Sequence, residues 1–212
     1  MSVAPSTPDI LRVQGLDFSW PQRVLFQAFS ARIGSGVSLV RGDEGSGKTT
    51  LLRLLAADIP AQAGQLAIEG VDLVEQPAAY RARLFWADPK DAALDPVVAS
   101  SYLASVQVRY PQWDEPRLAA LVEGLALAEH LHKPIYMLST GSRRKLCLAA
   151  GLAARVPLLL LDNPFAALDA PSIRVIRQAL VDAAQDPLRA VVIADYEAPA
   201  GLPLAQVIDL PG

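Results

Sequence analysis

Hydrophobic and polar positions change their period several times along the chain. Between Leu11 and Ile33, apolar residues recur with short polar breaks, which predicts antiparallel strands with a turn at Pro21–Gln22. Further strands are predicted at GVSLV (36–40), GQLAIEG (64–70), RLFWAD (83–88), PLLLLD (157–162) and AVVIAD (190–195). Apolar residues at helical spacing predict helices at 48–57, 115–131 and 172–184.

The alternation of these strands and helices predicts an α/β fold with a parallel or mixed sheet. Its 212 residues are enough for one sizeable domain. We therefore predict a single domain over residues 1–212, with an antiparallel β subdomain at the start. Residues from about 89 to 155 are predicted to form a helical subdomain inserted in the middle.

Composition narrows the class of protein. Hydrophobic residues make up 52% of the chain, which predicts a well-buried core, and the net charge of −3 argues against a nucleic-acid partner. The one dense basic run, Arg143–Lys145, is interpreted as a solvated helix face rather than a phosphate-backbone patch. The single cysteine, Cys147, excludes a disulfide framework and predicts a buried thiol in a reducing compartment.

Two stretches of the chain were candidates for a targeting or membrane-spanning segment, and neither has the required pattern. The start, MSVAPSTPDI, lacks the basic and apolar regions of a secretory signal peptide. The most apolar stretch, 146–161, contains Arg155 and Pro157 and is too short to span a bilayer. We therefore expect a cytoplasmic protein, whose role at the inner face of the cell membrane would depend on a partner.

The segment GDEGSGKT (42–49) matches the pattern G-x-x-x-x-G-K-[ST], between a predicted strand and a predicted helix. Glycines let the backbone curl so that successive N–H groups face phosphate oxygens, and the positive end of the helix favours the same anion. Lys48 would reach the β- and γ-phosphates, and the Thr49 hydroxyl would bind Mg²⁺. The candidate phosphate-binding residues are Gly42, Gly45, Ser46, Gly47, Lys48, Thr49 and Thr50.

Three further segments follow at characteristic spacing: LSTGSRRK (138–145), LLLLDNP (158–164) and FAALD (165–169). Together with the glycine-rich loop, they resemble the signature, Walker B strand and D-loop of the ABC ATPase family. The resemblance covers about residues 10–210. It implies a P-loop NTPase fold of ABC type, with ATP and Mg²⁺ as ligands and Asp162 as a metal-binding carboxylate.

The resemblance also implies a head-to-tail dimer that holds ATP between the P-loop of one domain and the signature of the other. Ser139 and Gly141 would contact the γ-phosphate of the opposite site, although Thr140 and Ser142 depart from the usual glycine and glutamine. Trp20 is similar to the family's aromatic residue that stacks on adenine. The alternative for Trp20 is an ordinary core aromatic side chain.

Three positions depart from the family pattern where the attacking water would be handled. Asn163 stands where the family has a catalytic glutamate, and an amide cannot accept the proton. Tyr196 stands where the family has a histidine. The family's loop glutamine corresponds to Ala87, or to Asp88 if the alignment slips by one. Asp88 would then be an outer Mg²⁺ partner, or else only the start of a turn.

The resemblance therefore predicts an ATP-binding subunit of an ABC transporter whose own site, with Lys48, Asp162, Asn163 and Tyr196 at the catalytic positions, hydrolyses ATP weakly. A transmembrane permease and a second ABC ATPase, either the same chain or a related one, are the expected partners. The alternative is an ATP-sensing regulatory protein without a transport role. A P-loop kinase is disfavoured by the signature and D-loop. His130 and His132 do not share a helix face and are interpreted as a surface helix end.

Overall fold

Two sheets organise the molecule, as seen in a computed structural model that describes residues 9–211. The antiparallel sheet has the strand order β2-β1-β4-β5 and the parallel sheet has the order β6-β7-β8-β3-β9. The strands are β1 (Leu11–Trp20), β2 (Arg23–Ile33), β3 (Gly36–Arg41), β4 (Ala63–Ile68), β5 (Val71–Asp72), β6 (Leu84–Phe85), β7 (Leu158–Asp162), β8 (Ala190–Asp195) and β9 (Gln206–Asp209).

Six α-helices complete the described part of the chain: α1 (Lys48–Leu55), α2 (Pro77–Arg81), α3 (Ala99–Arg109), α4 (Glu115–Gly124), α5 (Thr140–Ala153) and α6 (Ala170–Ala183). The predicted α/β fold with an antiparallel β subdomain is confirmed. All strand pairs within the parallel sheet are parallel. The two strand directions are therefore divided between the two sheets. The predicted boundary of the helical subdomain stays a prediction.

Two clusters of buried residues cover the two faces of the parallel sheet. One cluster joins the sheet to α3, α4, α5 and α6, and includes Leu159, Leu161 and Ile193. The other joins the sheet to α1 and the antiparallel sheet, and includes Leu158 and Leu160. Successive residues of β7 therefore point to opposite cores, which explains why this strand reads as a continuous apolar run.

Several element boundaries differ from the sequence prediction. The strand predicted over 83–88 is reduced to β6 because the chain leaves the sheet after Phe85. Short strand β5, short helix α2 and edge strand β9 were not predicted. No helix among residues 9–211 has the length and apolarity needed to cross a membrane. The start of the chain, for which no signal peptide is predicted, lies largely outside the described residues.

Cys147 is buried in α5, as predicted, with 5% of its surface exposed. Burial raises the pKa of its thiol to about 11. The thiol therefore stays protonated at neutral pH and behaves as a small apolar side chain.

Candidate functional site

The glycine-rich loop joins the carboxyl end of β3 to the first residue of α1. Gly45 and Gly47 adopt φ angles of 77° and 98°, in the left-handed region that glycine tolerates. A Cβ at Gly47 would lie 3.2 Å from the ring of Phe26, so the loop is also packed too closely for a larger residue. The Ser46 hydroxyl is buried and has no hydrogen-bond partner within residues 9–211. An unpaired buried hydroxyl in such a loop fits a phosphate oxygen as its partner.

Lys48 is 6% exposed and begins α1, so its ammonium is held at the loop. Its Nζ donates hydrogen bonds to the carbonyl oxygens of Gly42, at 2.6 Å, and Asp43, at 2.8 Å. The same Nζ lies 4.1 Å from the centroid of the Tyr196 ring, within the range of a cation–π interaction. The structure thus brings together two residues that the sequence placed in one site from opposite ends of the chain.

Thr49 and Asp162, which the sequence predicts as Mg²⁺ ligands, also lie together. The Thr49 Oγ1 donates a hydrogen bond of 2.6 Å to Oδ2 of Asp162, across the space between α1 and β7. The other carboxylate oxygen, Oδ1, accepts from the Asn163 side-chain amide at 3.2 Å. A hydroxyl beside a carboxylate is an oxygen pair that Mg²⁺ prefers, so the residues present fit the metal.

Asn163 follows directly after β7 with a φ angle of 45°, a left-handed conformation that asparagine adopts more readily than most residues. Its backbone N–H donates to the carbonyl oxygen of Ala194 at 2.9 Å, which ties this turn to β8. The side-chain amide is therefore fixed beside Asp162, at the edge where β7 and β8 end.

An open cleft of about 390 Å³ connects these groups with Trp20. Its lining residues are Trp20, Arg23, Leu25, Glu44, Gly45, Gly47, Lys48, Thr49, Thr50, Asn163 and Tyr196. Trp20 is 46% exposed and packs edge-on against Phe18 with 5.0 Å between ring centroids. Its exposure contradicts the ordinary core position that was the alternative for this residue, whereas a stacking role stays a prediction.

Arg23 was missed by sequence reasoning although it lines the cleft. It pairs with Trp20 across the β1–β2 turn, and its Nη1 lies 3.4 Å from where a Cβ of Gly45 would stand. A guanidinium beside the loop adds a positive charge suited to a phosphate. A single polar residue at the start of an exposed strand forms no sequence pattern that would mark it as part of a binding site.

Asp195 is the other carboxylate near Lys48 and Asp162. Burial raises the pKa of Asp195, and the Asp162 charge raises it further, whereas hydrogen bonds from the backbone and the Lys48 ammonium lower it. Its Oδ1 accepts a hydrogen bond of 2.7 Å from the backbone N–H of Tyr196. Asp195 thus helps to fix the backbone from which the Tyr196 ring extends toward Lys48.

The segment 138–145 begins α5 and forms a separate surface. Ser139 is the N-cap, because its Oγ accepts from the backbone N–H of Ser142 at 3.1 Å. The same Oγ donates to the Ser142 hydroxyl at 3.0 Å. A Cβ at Gly141 would lie 2.5 Å from the carbonyl oxygen of Ala167, so the predicted signature packs tightly on the predicted D-loop.

The interpretation of Arg143–Lys145 as a solvated face is wrong. Arg143 forms an ion pair with Asp95, the Arg144 Nη1 donates to the Ala166 carbonyl oxygen at 2.5 Å, and the Lys145 Nζ contacts Asp169 at 2.9 Å. Arg144 is only 9% exposed. Arg144 and Lys145 thus join the start of α5 to the loop before α6, whereas Arg143 joins it to the segment before α3. Partners so distant in sequence leave no local pattern.

Asp88 is not among the residues that line the cleft with Trp20 and Lys48. It lines a different cavity, of about 530 Å³, and its Oδ1 accepts a hydrogen bond of 2.8 Å from the Lys90 backbone N–H. This contact is the turn that was the alternative for Asp88, and its outer Mg²⁺ role stays a prediction. Ala87 lines that cavity and also a small one beside Asp162.

His130 and His132 lie in the connection between α4 and α5. His130 closes a short 3₁₀ turn, and its Nδ1 lies 3.1 Å from the Nζ of Lys133. Within residues 9–211, no three histidine, cysteine or acidic side chains cluster as a metal site.

The fold and the cleft together define a P-loop nucleotide-binding domain with an inserted helical region. Residues 28–166 match the family described as "ABC transporter". The chain is 34% identical to the cytochrome c biogenesis ATP-binding export protein CcmA of Pseudomonas putida, over 75% of this chain and 76% of that protein. It is 31% identical to the CcmA protein of Hyphomonas neptunium, over 97% and 98% of the two chains.

A solved ATP-binding subunit of an ABC transporter superposes with a TM-score of 0.80 over 88% of this chain and 79% of that one, at 18% identity. At this identity the superposition supports the fold alone. Taken with the family match and the relatives above, it leaves one assignment. The chain belongs to the ABC transporter family, as an ATP-binding subunit.

Proposed function

We propose that the chain binds Mg-ATP in the cleft between Trp20 and Tyr196 and hydrolyses it slowly at its own site. One observation carries this proposal: the groups predicted to bind phosphate lie together at one edge of the sheet, whereas the residues expected from the family to activate water are replaced. Lys48, Thr49 and Asp162 form a connected set at the loop. Asn163, on the same edge, offers an amide that can hold a water molecule but cannot accept its proton.

The proposed metal ligands are Thr49 and Asp162. Mg²⁺ bound there would neutralise part of the charge of the phosphate chain. The Thr49 hydroxyl donates a hydrogen bond of 2.6 Å to the Asp162 carboxylate, so the two oxygens are close enough to serve one ion.

We further propose that ATP is held between two domains, with Ser139 and Gly141 of this chain facing the nucleotide of the partner. Asn163 and Tyr196 then affect the site that contains Lys48 of this chain, whereas the signature affects the opposite site. A heterodimer with an intact ABC ATPase would consequently keep one competent site. The contacts of Arg144 and Lys145 with the loop before α6 support a signature held firmly in place.

Transport requires a membrane partner, and we propose a separate transmembrane subunit. The support is the role of the relatives, which are ATP-binding export proteins of cytochrome c biogenesis. We extend that role to this chain and expect a cell that lacks it to lose c-type cytochromes, measured by their absorbance. Normal levels in the deletion strain would contradict this role, and restoration by the unmodified gene is the control.

Assembly with ATP is the direct test of the sandwich. Because the binding groups are kept and hydrolysis is weak, Mg-ATP is expected to produce a long-lived dimer, with itself or with a related intact chain. Light scattering with and without Mg-ATP measures the homodimer. Ser139→Asp is expected to abolish it, since aspartate keeps the N-cap of α5 but places a negative charge against the phosphate.

Ser142→Ala is the matched control for the dimer, because it removes a neighbouring hydroxyl and leaves the capping oxygen of Ser139 in place. This variant is expected to dimerise at least as well as the unmodified chain. A chain that stays monomeric at saturating Mg-ATP, and that copurifies with neither a second ATPase subunit nor a membrane protein, would contradict the sandwich. That result would favour the ATP-sensing regulator.

A further inference from the structure

Three groups of the chain itself contact the Lys48 ammonium, which also lines the cleft. An ammonium has three N–H donors, and two of them point to the carbonyl oxygens of Gly42 and Asp43. The Tyr196 ring covers a further side at 4.1 Å from Nζ to the ring centroid. A phosphate that approaches the ammonium from the side of the Tyr196 ring must therefore displace that ring.

The two ends of the cleft come from different sheets. Trp20 and Arg23 lie at the β1–β2 turn of the antiparallel sheet, and Asn163 and Tyr196 follow β7 and β8 of the parallel sheet. A nucleotide whose base contacts Trp20 would direct its phosphate chain along the loop toward Tyr196. The terminal phosphate, the one farthest from the base, would arrive where the ring meets Lys48.

We propose that Tyr196 determines which nucleotide the site prefers, because its ring occupies the place beside Lys48 that a third phosphate needs. In this resting arrangement the cleft favours a nucleoside diphosphate, and a triphosphate binds only after the ring has moved. The inference rests on the proposed function of this cleft and adds a specificity determinant to it.

The surroundings of Tyr196 are consistent with a side chain that can move away from Lys48. The side chain is 51% exposed, so rotation toward solvent meets little packing. Its backbone is fixed by the hydrogen bond from its N–H to Asp195. The side chain can therefore leave Lys48 while the strand end that carries it stays in place.

The experiment measures dissociation constants of Mg-ADP and Mg-ATP by calorimetry for the unmodified chain, Tyr196→Ala and Tyr196→Phe. Tyr196→Ala is expected to improve ATP binding relative to ADP by about three- to thirtyfold, the range of one cation–π contact. Tyr196→Phe keeps an aromatic ring over the ammonium, so its ATP-to-ADP ratio should equal that of the unmodified chain.

A ratio that stays within about twofold in Tyr196→Ala would overturn the inference and leave nucleotide binding at this cleft intact. A Tyr196→Phe variant that behaves like Tyr196→Ala would also overturn it, because the hydroxyl and not the ring would then be responsible. Binding of neither nucleotide to the unmodified chain would overturn the proposed function together with the inference.

Discussion

The double change Asn163→Glu with Tyr196→His is expected to raise the maximal rate of ATP hydrolysis, toward the roughly 10²–10⁴-fold that a general base contributes. Glutamate at position 163 would add a carboxylate next to Asp162, at the end of β7, where the asparagine amide now lies. Histidine at position 196 would restore the residue type of the family. The measurement is phosphate release at saturating Mg-ATP, so that changes in affinity do not affect the comparison.

Asn163→Gln is the matched control for this gain. Glutamine has the length of glutamate but cannot accept a proton, so Asn163→Gln with Tyr196→His should stay close to the unmodified rate. Because Asn163 has a φ angle of 45°, a conformation less favourable for longer side chains, thermal unfolding of each variant must be compared as well. Equal acceleration by glutamine and glutamate would show that proton acceptance is not the cause.

Hydrolysis at several turnovers per second by the unmodified chain would contradict a degenerate site. Asp195 or Glu197 would then be the remaining candidates for the base. Burial and the Asp162 charge raise the pKa of Asp195, which makes its carboxylate a better proton acceptor than an exposed one. Asp195→Asn would test that outcome, and a loss of activity would assign the role.

The glycine-rich loop was predictable because its signal is local. A strand, a glycine-rich turn with Lys48 and Thr49, and a helix follow one another within a few residues, and the structure has the same order. The buried strand β7 was predictable for a similar reason, since a strand covered on both faces needs apolar residues at every position. In both cases neighbours in sequence are also the physical cause of the conformation.

Contacts between distant segments were not predictable. The ion pairs of Arg143 and Lys145 need partners 48 and 24 residues away, so the basic run looked like a solvated surface. The ring of Tyr196 over Lys48 likewise depends on β8 lying next to β3 in the sheet. The sequence indicated that Tyr196 belongs to the site, but not that it contacts the ammonium.

Lys48→Ala is expected to weaken nucleotide binding at least about tenfold. A hydrogen bond to a charged group contributes about 1.5–3 kcal/mol, and about 1.4 kcal/mol corresponds to a factor of ten in the dissociation constant. The lysine is 6% exposed and begins α1 at the loop. Among the described residues that line the cleft it contributes the one ammonium, so no second lysine there can replace it. Lys48→Met is the matched variant, because it keeps the apolar stem and removes only the charge. Calorimetry with Mg-ATP measures the change.

The fluorescence of Trp20 tests whether the loss of nucleotide affinity in the Lys48 variants occurs at the cleft. Trp20 is half-exposed, whereas Trp86 and Trp113 lie in other parts of the fold, so a nucleotide that stacks on Trp20 should change the emission of the unmodified chain. The response should vanish in Trp20→Leu and shift to at least about tenfold higher ATP concentration in Lys48→Met. A full response in Trp20→Leu would place the base elsewhere. Unchanged affinity in both lysine variants would refute phosphate binding at this loop.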